Sequence, residues 1–115
     1  MSAAPMKIYV GTRSESGVTV LVNDRPLDWR LDWHNHSPTG FDWGDCGSGP
    51  AQLALAILAD FWGPSFRALV MARYQKFKLD IVANFPLEGW ELTGEKIEKW
   101  LTEQESGSLQ KSIQF

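Results

Sequence analysis

The sequence predicts an α+β domain, a small antiparallel sheet of about four strands covered by about three helices in the order β-β-β-α-α-β-α. Three features predict it. Apolar and polar residues alternate with period two in short runs joined by short turns, which favours antiparallel strands with one apolar face. The stretch Pro50 to Trp62 is almost wholly apolar, as a central buried helix is. Two later segments space apolar residues at i, i+3 and i+4, the signature of helices with one covered face.

The elements follow in chain order. Met6, Ile8 and Val10 point one way while Lys7 and Tyr9 point the other, and the loop Thr12 to Gly17 leads into Val18, Val20 and Val22 as a hairpin. Asn23-Asp24-Arg25-Pro26 is the next turn. A third strand places Leu27, Trp29, Leu31 and Trp33 on one face, with Asp28, Arg30, Asp32 and His34 on the other. Pro50 to Trp62 forms the first helix, with Ser48 or Gly49 at the N-cap, Pro50 at the first helical position and Gly63-Pro64 as the stop. Ser65 to Lys76 forms the second, with Phe66, Leu69, Val70, Arg73, Tyr74 and Phe77 along its stripe. Leu79, Ile81, Ala83 and Phe85 alternate as a fourth strand that ends at Pro86. Thr93 caps the last helix, Gly94 to Glu103, which buries Ile97, Trp100 and Leu101.

At 115 residues the chain has room for one core, so residues 1–115 are expected to be a single domain, with 102–115 a fraying polar tail. The formal charge of −3 argues against general nucleic-acid binding and is too small for a polyanionic DNA mimic. A lone cysteine, Cys46, excludes a disulfide within the chain. Met1 to Met6 has no signal-peptide character, and Ala51 to Trp62 falls short of the ~20 residues that cross a bilayer, so a cytoplasmic protein without membrane contact is expected. Six tryptophans are the compositional oddity, since tryptophan is enriched in binding hot spots. Core packing accounts for Trp29, Trp33, Trp90 and Trp100, and Trp62 closes the first helix. Trp43 stands in a loop.

That loop, His34 to Pro50, collects two histidines, two acids, the cysteine, four glycines and two aromatics, and loops of this length usually have a use. Gly47-Ser48-Gly49 running into a helix, with Gln52 one turn inside, could hold a phosphate or nucleotide on unpaired N–H groups; the competing reading is that Ser48 caps its own helix. Asp32, His34 and His36 would share one strand face, and Asp42, Asp45 or Cys46 could return to complete a hydrolytic metal set, although the spacing matches no zinc pattern. Cys46 or Asp42 beside His36 would supply a nucleophile and base, or an orienting carboxylate. A protein-recognition surface would use His36, Phe41, Asp42 and Trp43, with the two aromatics exposed. For Gln52 an internal role is favoured, because a polar side chain on an apolar helix needs a partner. Arg67, Arg73, Lys76 and Lys78 form a basic group on and after the second helix, read as a solvated face.

The run Asn35-His36-Ser37-Pro38-Thr39-Gly40-Phe41, then Trp43-Gly44, then Gly47-Ser48-Gly49-Pro50-Ala51-Gln52-Leu53-Ala54-Leu55-Ala56-Ile57-Leu58-Ala59-Asp60, resembles the signature of a family of small phage, plasmid and prokaryotic proteins with a domain of unknown function. Ile8-Tyr9-Val10-Gly11, Phe85-Pro86, Trp90, Leu92-Thr93, Ile97 and Trp100-Leu101 look similar too. The chain departs at Asp42, where the family usually has Glu, and at Asp45-Cys46, where it has Tyr-Gly. The resemblance implies a mobile-element setting. The expected function is a non-enzymatic binding protein, an accessory or counter-defence inhibitor such as an anti-CRISPR, acting on a host or phage protein without a cofactor. A nucleotide or phosphate binder is the alternative, and a metal- or His/carboxylate-dependent hydrolase the third reading.

Overall fold

Asn23 and Asp24 hold φ values of 47° and 68°, the left-handed pair that a type I′ turn needs, and so reverse the chain tightly after the second strand. The Asn23 side chain fastens that turn to the first strand, accepting the Ile8 N–H at 2.9 Å and donating to the Met6 carbonyl at 3.2 Å. In this computed structural model residues 6–36 and 40–113 are described, with side chains as far as Gln104. The strands are β1 (Ile8–Ser14), β2 (Gly17–Val22), β3 (Arg25–Pro26) and β4 (Gly89–Thr93), and the helices α1 (Ser48–Trp62), α2 (Arg67–Asp80) and α3 (Gly94–Ile113). Short 3₁₀ turns at Pro64–Phe66 and Val82–Asn84 flank α2. All strand pairs are antiparallel, in spatial order β3-β2-β1-β4. The fold is α+β, with the element order read from the sequence.

Two strands lie elsewhere than the alternation places them. The third is only Arg25–Pro26, and Leu27 to Trp33 is not strand. Asp28 Oδ1 takes the Arg30 N–H at 2.9 Å, Arg30 adopts φ 57°, and the Trp33 N–H returns to the Arg30 carbonyl at 3.0 Å. A short acidic side chain has therefore outcompeted the ladder for the backbone. Leu27 and Trp33 are still buried, while Leu31 stays exposed.

The fourth strand is Gly89–Thr93 rather than Leu79 to Phe85. There α2 continues to Asp80, and the Asn84 amide caps its end by donating to the carbonyls of Leu79 and Asp80 at 3.3 and 3.0 Å. Leu79 is half-exposed as a result. β4 pairs with β1 in the register Gly11↔Trp90, and a Cβ at Gly11 would overlap the Trp90 indole. That indole stacks on Phe85 at 4.1 Å and meets Trp43 edge-on at 5.6 Å.

Every residue of α1 from Pro50 to Ala59 is buried, which makes this helix the axis of the core. Gly63, at φ 85°, ends it and donates to the Ala59 carbonyl at 2.8 Å. At the same end Asp60 receives the Tyr9 hydroxyl at 2.7 Å and the Lys7 ammonium at 2.9 Å, tying β1 to α1. On α2, Val70, Tyr74 and Phe77 are buried as expected, but Phe66 and Leu69 are not. Phe77 meets Trp100 of α3 edge-on at 5.1 Å, and the Trp100 indole N–H donates to Asp80 Oδ2 at 2.8 Å. Thr93 caps α3 through the Lys96 N–H at 3.3 Å, and the helical backbone runs beyond Glu103 into the polar segment.

Candidate functional site

Gln52 is wholly buried inside α1, where an amide without partners would be costly. It reaches outward into the segment between β3 and α1. Its Nε2 donates to the carbonyls of Trp29 and His34 at 2.6 and 3.0 Å, and its Oε1 accepts the His36 N–H at 2.7 Å. One side chain thus replaces the strand ladder that this segment lacks. The internal role expected for Gln52 holds. The turn at Ser37 and Pro38 lies outside the described residues.

His36 is half-buried, and its Nε2 shares a hydrogen bond of 2.7 Å with the Tyr74 hydroxyl of α2. The His34 ring lies 4.2 Å away, centroid to centroid. Burial lowers the His36 pKa, and the neighbouring His34 and Lys78 lower it further, which favours the neutral imidazole. Tyr74 entered the sequence reading only as part of an apolar stripe. Its hydroxyl gave no signal there, since contact with His36 across the fold is not encoded locally.

The second anchor is Trp43, and here an expectation is corrected. Trp43 is fully buried and Phe41 nearly so, whereas both were expected to be exposed. The Trp43 indole N–H donates to the carbonyls of Pro86 and Leu87 at 3.0 and 3.1 Å, and Phe41 packs on Trp29 at 5.7 Å. Large aromatics with one polar handle gain more from a pocket that offers an acceptor than from water. Asp42, between them, is half-buried. Its Oδ1 accepts the Arg13 guanidinium at 2.7 Å and the Trp43 N–H at 2.8 Å. Burial raises the Asp42 pKa, but those two donors outweigh it and hold the carboxyl below its ordinary range. Arg13 also lies 4.9 Å over the Trp43 ring and donates to the Leu87 carbonyl at 2.8 Å. The hairpin reading gave this arginine no role, because its partners lie far along the chain.

Gly47 is the N-cap of α1, so Ser48 is its first residue and makes no capping bond, contrary to the expected cap at Ser48 or Gly49. The Asp45 carboxylate takes the Gly47 N–H instead, at 2.7 Å, as an Asx turn. Gly49 is required because a Cβ there would collide with Asp42. A recess of about 380 Å³ lies here, lined by Gly40, Phe41, Asp42, Asp45 and Gly47 to Pro50. Two carboxylates share it with the helix N-terminus, and their charge opposes the attraction of the helix dipole for an anion.

Cys46 is exposed, and among the described residues its side chain has no hydrogen-bond partner. Lys78 holds its backbone carbonyl at 3.2 Å. No group of three His, Cys, Asp or Glu side chains is placed to hold a metal among the described residues, since the strand that would align Asp32, His34 and His36 is absent. His36 and Asp42 are each committed to other partners. The chemistry-bearing residues of the segment are therefore distributed around two internal anchors, Gln52 and Trp43.

No curated protein matches the chain, and no solved structure does. Residues 9–103 match a family described as Family of unknown function (DUF6166), a span that takes in the sheet from Tyr9 onward, both anchors and the first half of α3. The chain belongs to that family.

Proposed function

We propose that the protein is a small non-enzymatic binding module that works by contact with another protein. The single observation that carries this reading is the Gln52 anchor. Three hydrogen bonds from one buried side chain hold the backbone at Trp29, His34 and His36, so the irregular stretch from Trp29 to His36 is presented as a preformed surface. Preforming a loop removes most of the entropy cost of ordering it on binding, which is how a small interface becomes strong enough to act. His36 and Asp42 support the same reading, because His36 Nε2 and Asp42 Oδ1 are engaged in positioning the segment. Because Trp43 and Phe41 are buried, they serve the surface from beneath, and contact falls to exposed residues around them.

The proposed setting of such a module is the cytoplasm of a host, a reading supported by the resemblance of the segment to proteins of phages and plasmids. There it would be an accessory or counter-defence inhibitor, with inhibition of CRISPR machinery included in that class. The test is reconstitution: a host or phage protein co-purified with the full chain, re-expressed alone, should rebind it with a defined stoichiometry. Gln52→Ala, folded by circular dichroism, should bind it about tenfold more weakly through loss of preorganisation. A thermal-shift screen against nucleotides and divalent metals runs alongside. Stabilisation of about 2.7 kcal/mol at a hundredfold excess over Kd, with no protein complex, would replace this reading with a ligand-binding one.

A further inference from the structure

Two guanidinium groups converge on one indole beside the Gln52 anchor. The Cζ atoms of Arg30 and Arg67 each lie 5.2 Å from the centre of the Trp33 ring. Arg30 comes from the turn before Trp33, and Arg67 from the start of α2, so the pairing exists only in the folded chain. Like charges brought together on one ring repel, and the face of the indole offsets only part of that. Three cations of the described residues sit in ion pairs, Lys7 with Asp60, Arg13 with Asp42, and Lys76 with Asp80, while Arg25, Arg73, Lys78, Lys96 and Lys99 have no such pair, so it is the shared ring rather than the missing acid that sets Arg30 and Arg67 apart. Among the described residues neither Arg30 nor Arg67 has a carboxylate partner, although the protein carries a net charge of −3. Asp28 and Asp32 lie in the same turn, but Asp28 is committed to the Arg30 backbone N–H and Asp32 pairs with neither arginine.

Two further features mark this place. Arg30 Nε is buried without an acceptor, and Arg30 sits at φ 57°, a conformation that costs a side-chain-bearing residue free energy and persists only when its surroundings enforce it. The neighbours in the chain are apolar and open to solvent, Leu31 at 37% exposure and Phe66 at 52%. A pair of forked donors on one ring, flanked by exposed apolar side chains, is complementary to carboxylates interleaved with apolar residues. A nucleic acid would bring a continuous line of phosphates without the interleaved apolar side chains that Leu31 and Phe66 could receive, so an acidic peptide is the better match.

We propose that Arg30 and Arg67, held against Trp33, form the docking site for an acidic segment of a partner protein, with Leu31 and Phe66 receiving its apolar residues. The proposal rests on the binding-module reading and names the chemistry of the partner. Fluorescence anisotropy of the full chain with a labelled peptide of alternating Glu and Leu tests it. A peptide of alternating Lys and Leu and a thymidine oligonucleotide serve as comparisons. Wild type should bind the acidic peptide in preference to both. Arg30→Gln/Arg67→Gln should weaken that binding about tenfold or more, and Lys96→Gln/Lys99→Gln, which removes equal charge elsewhere, should leave it within about twofold. Arg67→Gln alone, at an exposed helix start, keeps the comparison available if substitution of Arg30 disturbs its turn, and should show an intermediate loss. No acidic-peptide binding by wild type, equal loss in the Lys96/Lys99 variant, or tighter binding of the oligonucleotide would each overturn the proposal. The two readings also fail separately. A reconstituted protein partner that the Arg30/Arg67 variant still binds at wild-type affinity removes this site and leaves the module reading standing. Nucleotide stabilisation with no protein complex removes both.

Discussion

The Gln52 side-chain oxygen accepts the His36 backbone N–H at 2.7 Å, joining a fully buried position in α1 to a segment with no strand or helix among its described residues. Replacing Gln52 with Ala strands the carbonyls of Trp29 and His34 and the N–H of His36. Such a loss should destabilise the fold by about 2–4 kcal/mol in urea unfolding, since each buried group left unpaired costs more than a hydrogen bond returns. Hydrogen exchange should accelerate first at His36, whose amide loses its acceptor. Unchanged exchange there would remove Gln52 from its role as anchor.

Trp43 fills the pocket between the Pro86 turn and Trp90. Trp43→Ala should cost about 3–5 kcal/mol, the range for removing a large buried aromatic. Trp43→Phe should cost less, losing mainly the bonds to the Pro86 and Leu87 carbonyls. Chemical denaturation of both variants checks the order. A near-neutral Trp43→Ala would mean that the side chain contributes little to the core, and would return it to the list of surface contacts.

Gly11 and Trp90 are coupled across the β1–β4 pair. Gly11→Ala places a methyl group against the indole and should cost about 1–3 kcal/mol, as overpacking does. In the background Trp90→Leu the same Gly11→Ala change should cost much less, so the double-mutant cycle should show a coupling of about 1 kcal/mol or more. Additive effects would contradict the close approach of the two residues.

Two titrations act on stability in the same direction at different pH. The folded-state pKa of His36 lies below its ordinary 6.5, so on acidification the unfolded chain takes up the proton first. Stability should therefore fall as pH drops below about 6.5, and His36→Gln should remove that part of the slope. Asp42 has a folded-state pKa below its ordinary 3.8, so its contribution is present above that pH and is lost as pH falls through the folded value. Arg13→Gln should shrink this acid-range loss, and its effect should also weaken with salt because the pair is partly exposed. Thermal melts across the pH range, with and without added salt, check both signs.

The fold class, the hairpin and the central helix were legible in the amino-acid sequence alone. So were the Thr93 cap and the demand that Gln52 find internal partners. These depend on local periodicity, on glycine and proline punctuation, and on the cost of burying an amide, all of which are readable within a few residues. Tertiary structure alone decided where the third and fourth strands lie. Leu27 to Trp33 and Leu79 to Phe85 alternate as strands do, yet Asp28 and Asn84 satisfy nearby backbone groups and the apolar residues find other partners. Tertiary structure likewise buried Trp43, whose acceptors at Pro86 and Leu87 are more than forty residues away. It paired His36 with Tyr74 and brought Arg30 and Arg67 to one ring. Contacts between distant residues depend on how complete elements pack, and no local pattern encodes them.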